Sequence, residues 1–199
     1  MANILYFGDG DPSSTSGHRA YALKRLGHKV VIKDTDQMAR DLKYYKYLHP
    51  LHYRTGFRFI QFQMLAWLKR VVASQRTTDL IWVNGGEYFG PKCLEVLKSL
   101  CCPIILYNND DPTGGRDGRR FDMLLKSLPY YDLCMVMRDV NVAEFNKLNA
   151  AKVQRVFMSY DDEAHQPFPS TQAIPSKFKS DVVFIGSWMK KEGRDVFLL

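Results

Sequence analysis

The sequence predicts an α/β protein: a doubly wound, mostly parallel sheet with helices on both faces, followed by the start of a second unit. Three observations predict it. Short apolar runs at residues 4–7, 30–32, 79–84, 103–107, 132–137 and 152–158 alternate with stretches of helical period. Each run ends in glycine or polar residues: Gly8, Asp34, Gly85, Asn108, Arg138 and Ser159. The chain also opens in the order strand, glycine loop, helix, strand, as a Rossmann-like domain does. Ligands of such sheets bind at the carboxyl ends of the strands.

The first run is apolar throughout, as a strand buried on both faces requires. Gly8 and Gly10 let the chain turn tightly and approach a ligand, and the hydroxyl residues 13–16 offer caps for a helix that runs to Leu26 and stops at Gly27. Ala20, Leu23 and Leu26 are expected on its inner face, with Arg19, Lys24 and Arg25 outside. The second strand ends at Lys33-Asp34. From residue 36 to 78 no strand is evident, and Pro50 and Gly56 are expected to split the stretch into two helices. The second of these places Phe59, Phe62, Leu65, Ala66 and Leu68 in a helical rhythm. Helices are then expected at 91–100, up to 128, and at 140–148.

The chain has 199 residues, 46% of them hydrophobic, which suffices for one good core. Its net charge of +7 favours anionic partners. Residues 40–76 hold eight Lys or Arg and one acid, Asp41, among many aromatics. That reads either as a helical crossover with solvated charges or as a surface for an acidic acceptor or anionic lipid head groups. No nucleic acid is expected. There is no signal-peptide pattern and no long apolar run, so a cytoplasmic protein, peripheral to the membrane at most, is expected. The four cysteines lack CxxC spacing and read as reduced, mostly buried thiols rather than zinc ligands.

Residues 1–160 form the first domain in this reading. Residues 161–180, with Pro167, Pro169 and Pro175, read as a linker. Residues 181–199 open a fresh strand with a glycine turn and the start of a helix, the first βα unit of a second domain.

The candidate chemistry lies along the strand ends. Asn108, Asn109, Asp110 and Asp111 can hold a hydroxylated substrate, supply a base or simply shape the turn before Pro112. Arg116, Arg119 and Arg120 can pair with these carboxylates or clamp a phosphate. His18 is a candidate base or a packed histidine, and Glu87, beside Gly86, a candidate sugar contact. The catalytic candidates are His18 and Asp110. The substrate contacts are Gly8, Asp9, Gly10, Ser14, Arg19, Gly86, Glu87, Asn108, Asn109, Arg116 and Arg138. No metal is expected. Gly8-x-Gly10 with Asp34 also raises an NAD-type oxidoreductase or epimerase, although Ser13 stands where the dinucleotide fingerprint has its third glycine.

The runs NILYFGDGDPSSTSGHRA, DLIWVNGGE, LYNNDDP, VFMSYDDEAH and DVVFIGSWM, in this order, resemble the CgeB-like (spore-maturation type) glycosyltransferases. These are GT-B enzymes, with two Rossmann-like domains facing a cleft. The resemblance covers most of the chain except residues 36–78. It implies that this chain is mainly the acceptor-side half, with Gly8, Asp9, Gly10, His18, Glu87, Asn109 and Asp110 on that side, and that Gly186 and Ser187 lie near the donor diphosphate. It implies a nucleotide-sugar co-substrate, a sugar acceptor and no cofactor or bound metal. The remaining donor-binding residues of a second domain are absent from this sequence. A non-catalytic module that grips an acidic partner through the basic aromatic segment is the third reading.

Overall fold

A computed structural model describes residues 1–183, so the expected strand and glycine turn after residue 181, with Gly186 and Ser187, lie outside the described residues. The chain divides into two compact units, Met1–Ala164 and His165–Leu199.

The first unit is built on a six-stranded sheet, all parallel, in the order β2-β1-β3-β4-β5-β6. The strands are β1 (Asn3–Phe7), β2 (Lys29–Lys33), β3 (Leu80–Asn84), β4 (Ile104–Asn108), β5 (Leu133–Val136) and β6 (Val153–Arg155). The helices are α1 (Thr15–Arg25), α2 (Thr35–Arg40), α3 (Tyr45–Arg54), α4 (Gln61–Ala73), α5 (Pro91–Lys98), α6 (Asp122–Ser127) and α7 (Asp139–Lys147). The expected α/β class is therefore what forms. The chain steps from β1 to β2 on one side and then crosses back to β3 on the other, so the winding reverses between β1 and β3.

One face of the sheet carries the main core. Leu5, Phe7, Ile81, Val83, Leu106 and Cys134 point into it, packed against Met64 and Leu68 of α4, Leu94 and Leu97 of α5, Leu124 of α6 and Phe145 of α7. The other face carries Tyr6, Trp82 and Tyr107, whose rings stack across β1, β3 and β4 with centroids 6.1 and 5.8 Å apart. α1 packs here: the Tyr6 hydroxyl donates to the Ser16 carbonyl at 2.9 Å.

Several expectations fail in detail. Arg19 is not outside: its guanidinium lies 3.8 Å over the Tyr107 ring and donates to Asn84 Oδ1, because the aromatic row offers a flat π surface at that height of the helix. Leu26, expected inside, is exposed at the helix's last turn, where the chain already swings to Gly27 with φ +85°. Pro50 does not split a helix; it sits within α3, whose inner face is anchored by stacking of Tyr45 on His52 at 5.5 Å. The breaks come at Tyr44 and at Gly56-Phe57, all with positive φ. In α4 the buried face is Met64, Leu68 and Val71, while Phe62 is exposed. Two apolar stripes compete in that helix, and the one that continues from Ile60 reaches the sheet. Cys93 and Cys134 are buried, with burial raising their thiols to about 11 and about 12, whereas Cys101 is exposed.

Asp161 is the inner anchor of the chain after β6. Arg25 Nη2 reaches its carboxylate at 2.8 Å and also pairs with Asp162, while Nη1 pairs with Glu163. The Asp161 pKa falls to about 2, chiefly through the Arg25 hydrogen bond.

Candidate functional site

A cavity of about 150 Å³ opens at the carboxyl ends of β1, β3 and β4, between the loops Asp9, Asn84–Tyr88 and Asn109–Asp110, with Asp36 and Arg120 completing its wall. It lies where the winding of the sheet reverses, the place at which open α/β sheets bind ligands.

The β3 loop carries the site's central residue. Gly85 and Gly86 both have φ above +80°, a region that side chains rarely adopt, and this conformation turns the chain from the strand to Glu87. A Cβ on Gly86 would also meet Leu106 Cδ1 at 2.8 Å and Leu124 Cδ1 at 2.9 Å, so the loop lies flat on the core. Glu87 Oε1 accepts a charge-assisted hydrogen bond from Arg120 Nη2 at 2.8 Å. Arg120 also reaches Asp110 Oδ2 at 3.8 Å. The two side chains are 14% and 24% exposed. Burial raises the Glu87 carboxyl above its ordinary value; Arg120 opposes this and does not cancel it. Burial works against the charge of Arg120, but Glu87 and Asp110 hold it protonated above its usual range.

Asp36, in the first turn of α2, accepts from the Tyr88 hydroxyl at 2.8 Å. Its carboxyl is raised by burial, with Asp9 and Asp34 adding to the shift. Burial and the charge of Asp36 push the Tyr88 phenol up in turn. Asp9, Asp34 and Asp36 bring one carboxylate oxygen each within 4.8 Å of one another, an acidic group that the sequence reading did not foresee. Asp34 is occupied within the protein: Oδ1 caps α2 at Gln37 N–H, 2.7 Å, and Oδ2 accepts from Gly10 N–H at 3.1 Å. Each Asp34 oxygen thus already accepts one backbone hydrogen bond.

The structure therefore brings Asp9, Gly86, Glu87, Asn109 and Asp110 together. The other expected residues have different places. Asn108 is fully buried and donates to the Gly85 carbonyl at 3.0 Å, so it props the β3 loop from behind. Ser14 caps α1 by accepting from Gly17 N–H at 2.9 Å. Gly8 has no left-handed backbone; it is small because an added Cβ would meet Ser16 Oγ at 2.5 Å. Gly10 contributes its N–H to Asp34. His18 is half-buried on α1 and does not line this cavity. Arg116 pairs with Asp117 at 3.3 Å, and Arg138 donates to the Asn109 carbonyl at 3.3 Å. Asp111 shapes its loop, accepting from Asn141 Nδ2 at 2.9 Å and Gly114 N–H at 3.2 Å.

Thr35, Asp36, Asn84, Gly85, Tyr88 and Arg120 line the cavity and are not among the expected contacts. Tyr88 follows Glu87 directly, and Arg120 was visible as one of three arginines in its loop. Which of the three reaches the strand ends depends on the fold of the loop.

No family model matches this chain, and no curated protein matches it.

Proposed function

We propose that the protein is the acceptor-side part of a glycosyltransferase of the GT-B type, and that the cavity around Glu87 and Arg120 holds the acceptor sugar. The observation that carries this reading is a mostly buried carboxylate, held by Arg120 and raised in proton affinity by its burial, at the point where the winding reverses, among further carboxylates and a tyrosine. Neutral polyols are recognised by such groups: carboxylates accept hydrogen bonds from sugar hydroxyls, and a volume of about 150 Å³ suits one sugar ring. The order of motifs along the sequence supports the same reading.

In this reading Glu87 is the base. Oε1 is held by Arg120, while Oε2 has no protein donor among the described residues. The acceptor hydroxyl gives its proton to Glu87 as its oxygen bonds to the anomeric carbon of the donor. The bond from that carbon to the diphosphate breaks, and the nucleoside diphosphate leaves with the electron pair. A base with a pKa nearer to neutrality than an ordinary carboxylate suits this transfer. Arg120 keeps Glu87 in one orientation, and Asp110 and Asn109 are placed to orient the sugar. The donor is supplied as a nucleotide sugar, and no cofactor is required.

The test is a transfer assay on the full-length polypeptide with a panel of labelled nucleotide sugars. Glu87→Gln should lower turnover by about two orders of magnitude or more, the usual contribution of a general base. Lys126→Gln, on the outer side of α6, should leave it unchanged. Release of sugar from no donor in the panel would overturn the reading.

A further inference from the structure

We propose that the outer side of α3 and the turn into α4 is a docking surface for an anionic lipid bilayer. On α3 and the residue before it, Tyr44, Tyr47, Leu48 and Leu51 follow one another at helical spacing and all are exposed, Tyr47 at 80%. Phe59 and Phe62 continue this exposed apolar series eight residues on, with Phe62 also at 80%. The four at helical spacing make an exposed apolar stripe along α3, not scattered single residues.

Basic side chains frame it. Lys43 Nζ stands 4.9 Å over the Tyr44 ring and Arg58 Cζ 4.7 Å over the Phe59 ring, while Lys46 and Arg54 are exposed on α3. None of these four cations pairs with a carboxylate among the described residues. These hydrated cations are therefore available to an anionic partner. Nucleic acid would answer the charge and stack on rings, but it offers nothing to Leu48 and Leu51. A bilayer with acidic head groups satisfies both: cations at the phosphate level, aromatic and aliphatic side chains at the acyl boundary. α3 has ten residues, too short to span a bilayer and suited to lying in its plane.

The inner side of this segment is tied to the rest of the first unit. Phe57 packs edge-on to Tyr88 at 4.7 Å, the Tyr53 hydroxyl donates to Asp117 at 3.0 Å, and Gln61 ties the Tyr88 carbonyl and Gly90 N–H at 2.9 Å each. Tyr88, against which this inner side packs, also lines the cavity described above. The surface does not depend on the glycosyltransferase reading.

The experiment is co-sedimentation of the chain with vesicles of phosphatidylcholine alone and with about one part in three of phosphatidylglycerol. Binding is expected to the anionic vesicles only and to weaken steeply between about 0.1 M and about 0.5 M salt. Tyr47→Ser with Phe62→Ser, and separately Lys46→Gln with Arg54→Gln, should each weaken it about tenfold, with thermal melts unchanged. Lys147→Gln with Lys152→Gln removes the same charge elsewhere and should change binding less than about twofold. Three results would overturn the proposal: no binding to anionic vesicles, equal loss in the Lys147/Lys152 control, or binding that ignores the two aromatic substitutions while heparin competes fully.

Discussion

The cavity at the strand ends and the outer side of α3 are opposites. In the cavity, Asp9, Asp36, Glu87 and Asp110 are drawn together with one arginine between two of them. Around α3 and the following turn, cations stand among exposed rings with no acid paired to them among the described residues. A chain of net charge +7 thus gathers negative charge at a partly buried site. Carboxylates gathered at a half-buried site cost stability through desolvation and mutual repulsion. The fold offsets that cost with Arg120 and the Tyr88 hydroxyl. The outer surface needs no such support, since its groups are hydrated. Substitutions should therefore be severe on the inner side and mild on the outer one.

The widest gap should come from α4. Leu68→Ala, at a fully buried position, should destabilise by about 2–5 kcal/mol, while Phe62→Ala should stay within about 0.5 kcal/mol in urea melts. Equal losses would mean that α4 is rotated about its axis.

Next in size is the ion pair. Arg120→Met leaves the Glu87 carboxylate without its partner and should cost about 2–4 kcal/mol. Adding Glu87→Gln should restore most of it. If the double variant is no better than the single one, the pair is not what holds the loop.

The pH dependence sharpens the contrast between carboxylates. The folded-state pKa values of Glu87 and Asp36 are raised by burial, so in the window above the ordinary carboxylate range the folded protein holds protons that the unfolded chain has lost. Stability should fall as pH rises through that window, by at most about 1.4 kcal/mol per pH unit for each group, and Glu87→Gln should flatten the slope. Asp161 has the opposite sign. Its pKa is lowered to about 2 by Arg25, so its contribution is present above the ordinary carboxylate value and is lost as pH falls towards 2; Asp161→Asn should remove that acid-side loss.

The smallest effect belongs to the outer surface: Lys46→Gln with Arg54→Gln should change stability by less than about 0.5 kcal/mol.

Much of the architecture was legible because it is written locally. Each strand is a short apolar run, and each run ends in the polar or glycine residues that the carboxyl edge displays. The phase of α4 was not legible: Phe59-Phe62-Leu65 and Ile60-Met64-Leu68 are both apolar stripes, and only contact with Leu5, Val83 and Leu94 selects the second. Arg19 was read as solvent-facing because nothing near it in sequence shows that Tyr107 and Asn84 lie beneath it. The cavity was half legible for the same reason. Asp9, Glu87 and Asp110 announce themselves at strand ends, whereas Arg120 joins Glu87 across 33 residues and Tyr88 joins Asp36 across 52. Such pairings follow from the strand order, which a local reading does not supply.

The most direct test of the cavity as a sugar site is chemical-shift mapping of backbone amides while monosaccharides are titrated into the chain. The account predicts that at least one sugar perturbs Gly85, Gly86, Glu87, Asn109 and Asp110 together, and that Glu87→Gln weakens the response. Perturbation by no sugar, or a response centred on the groove between α4 and α5 beside Leu65 and Val96, would contradict it.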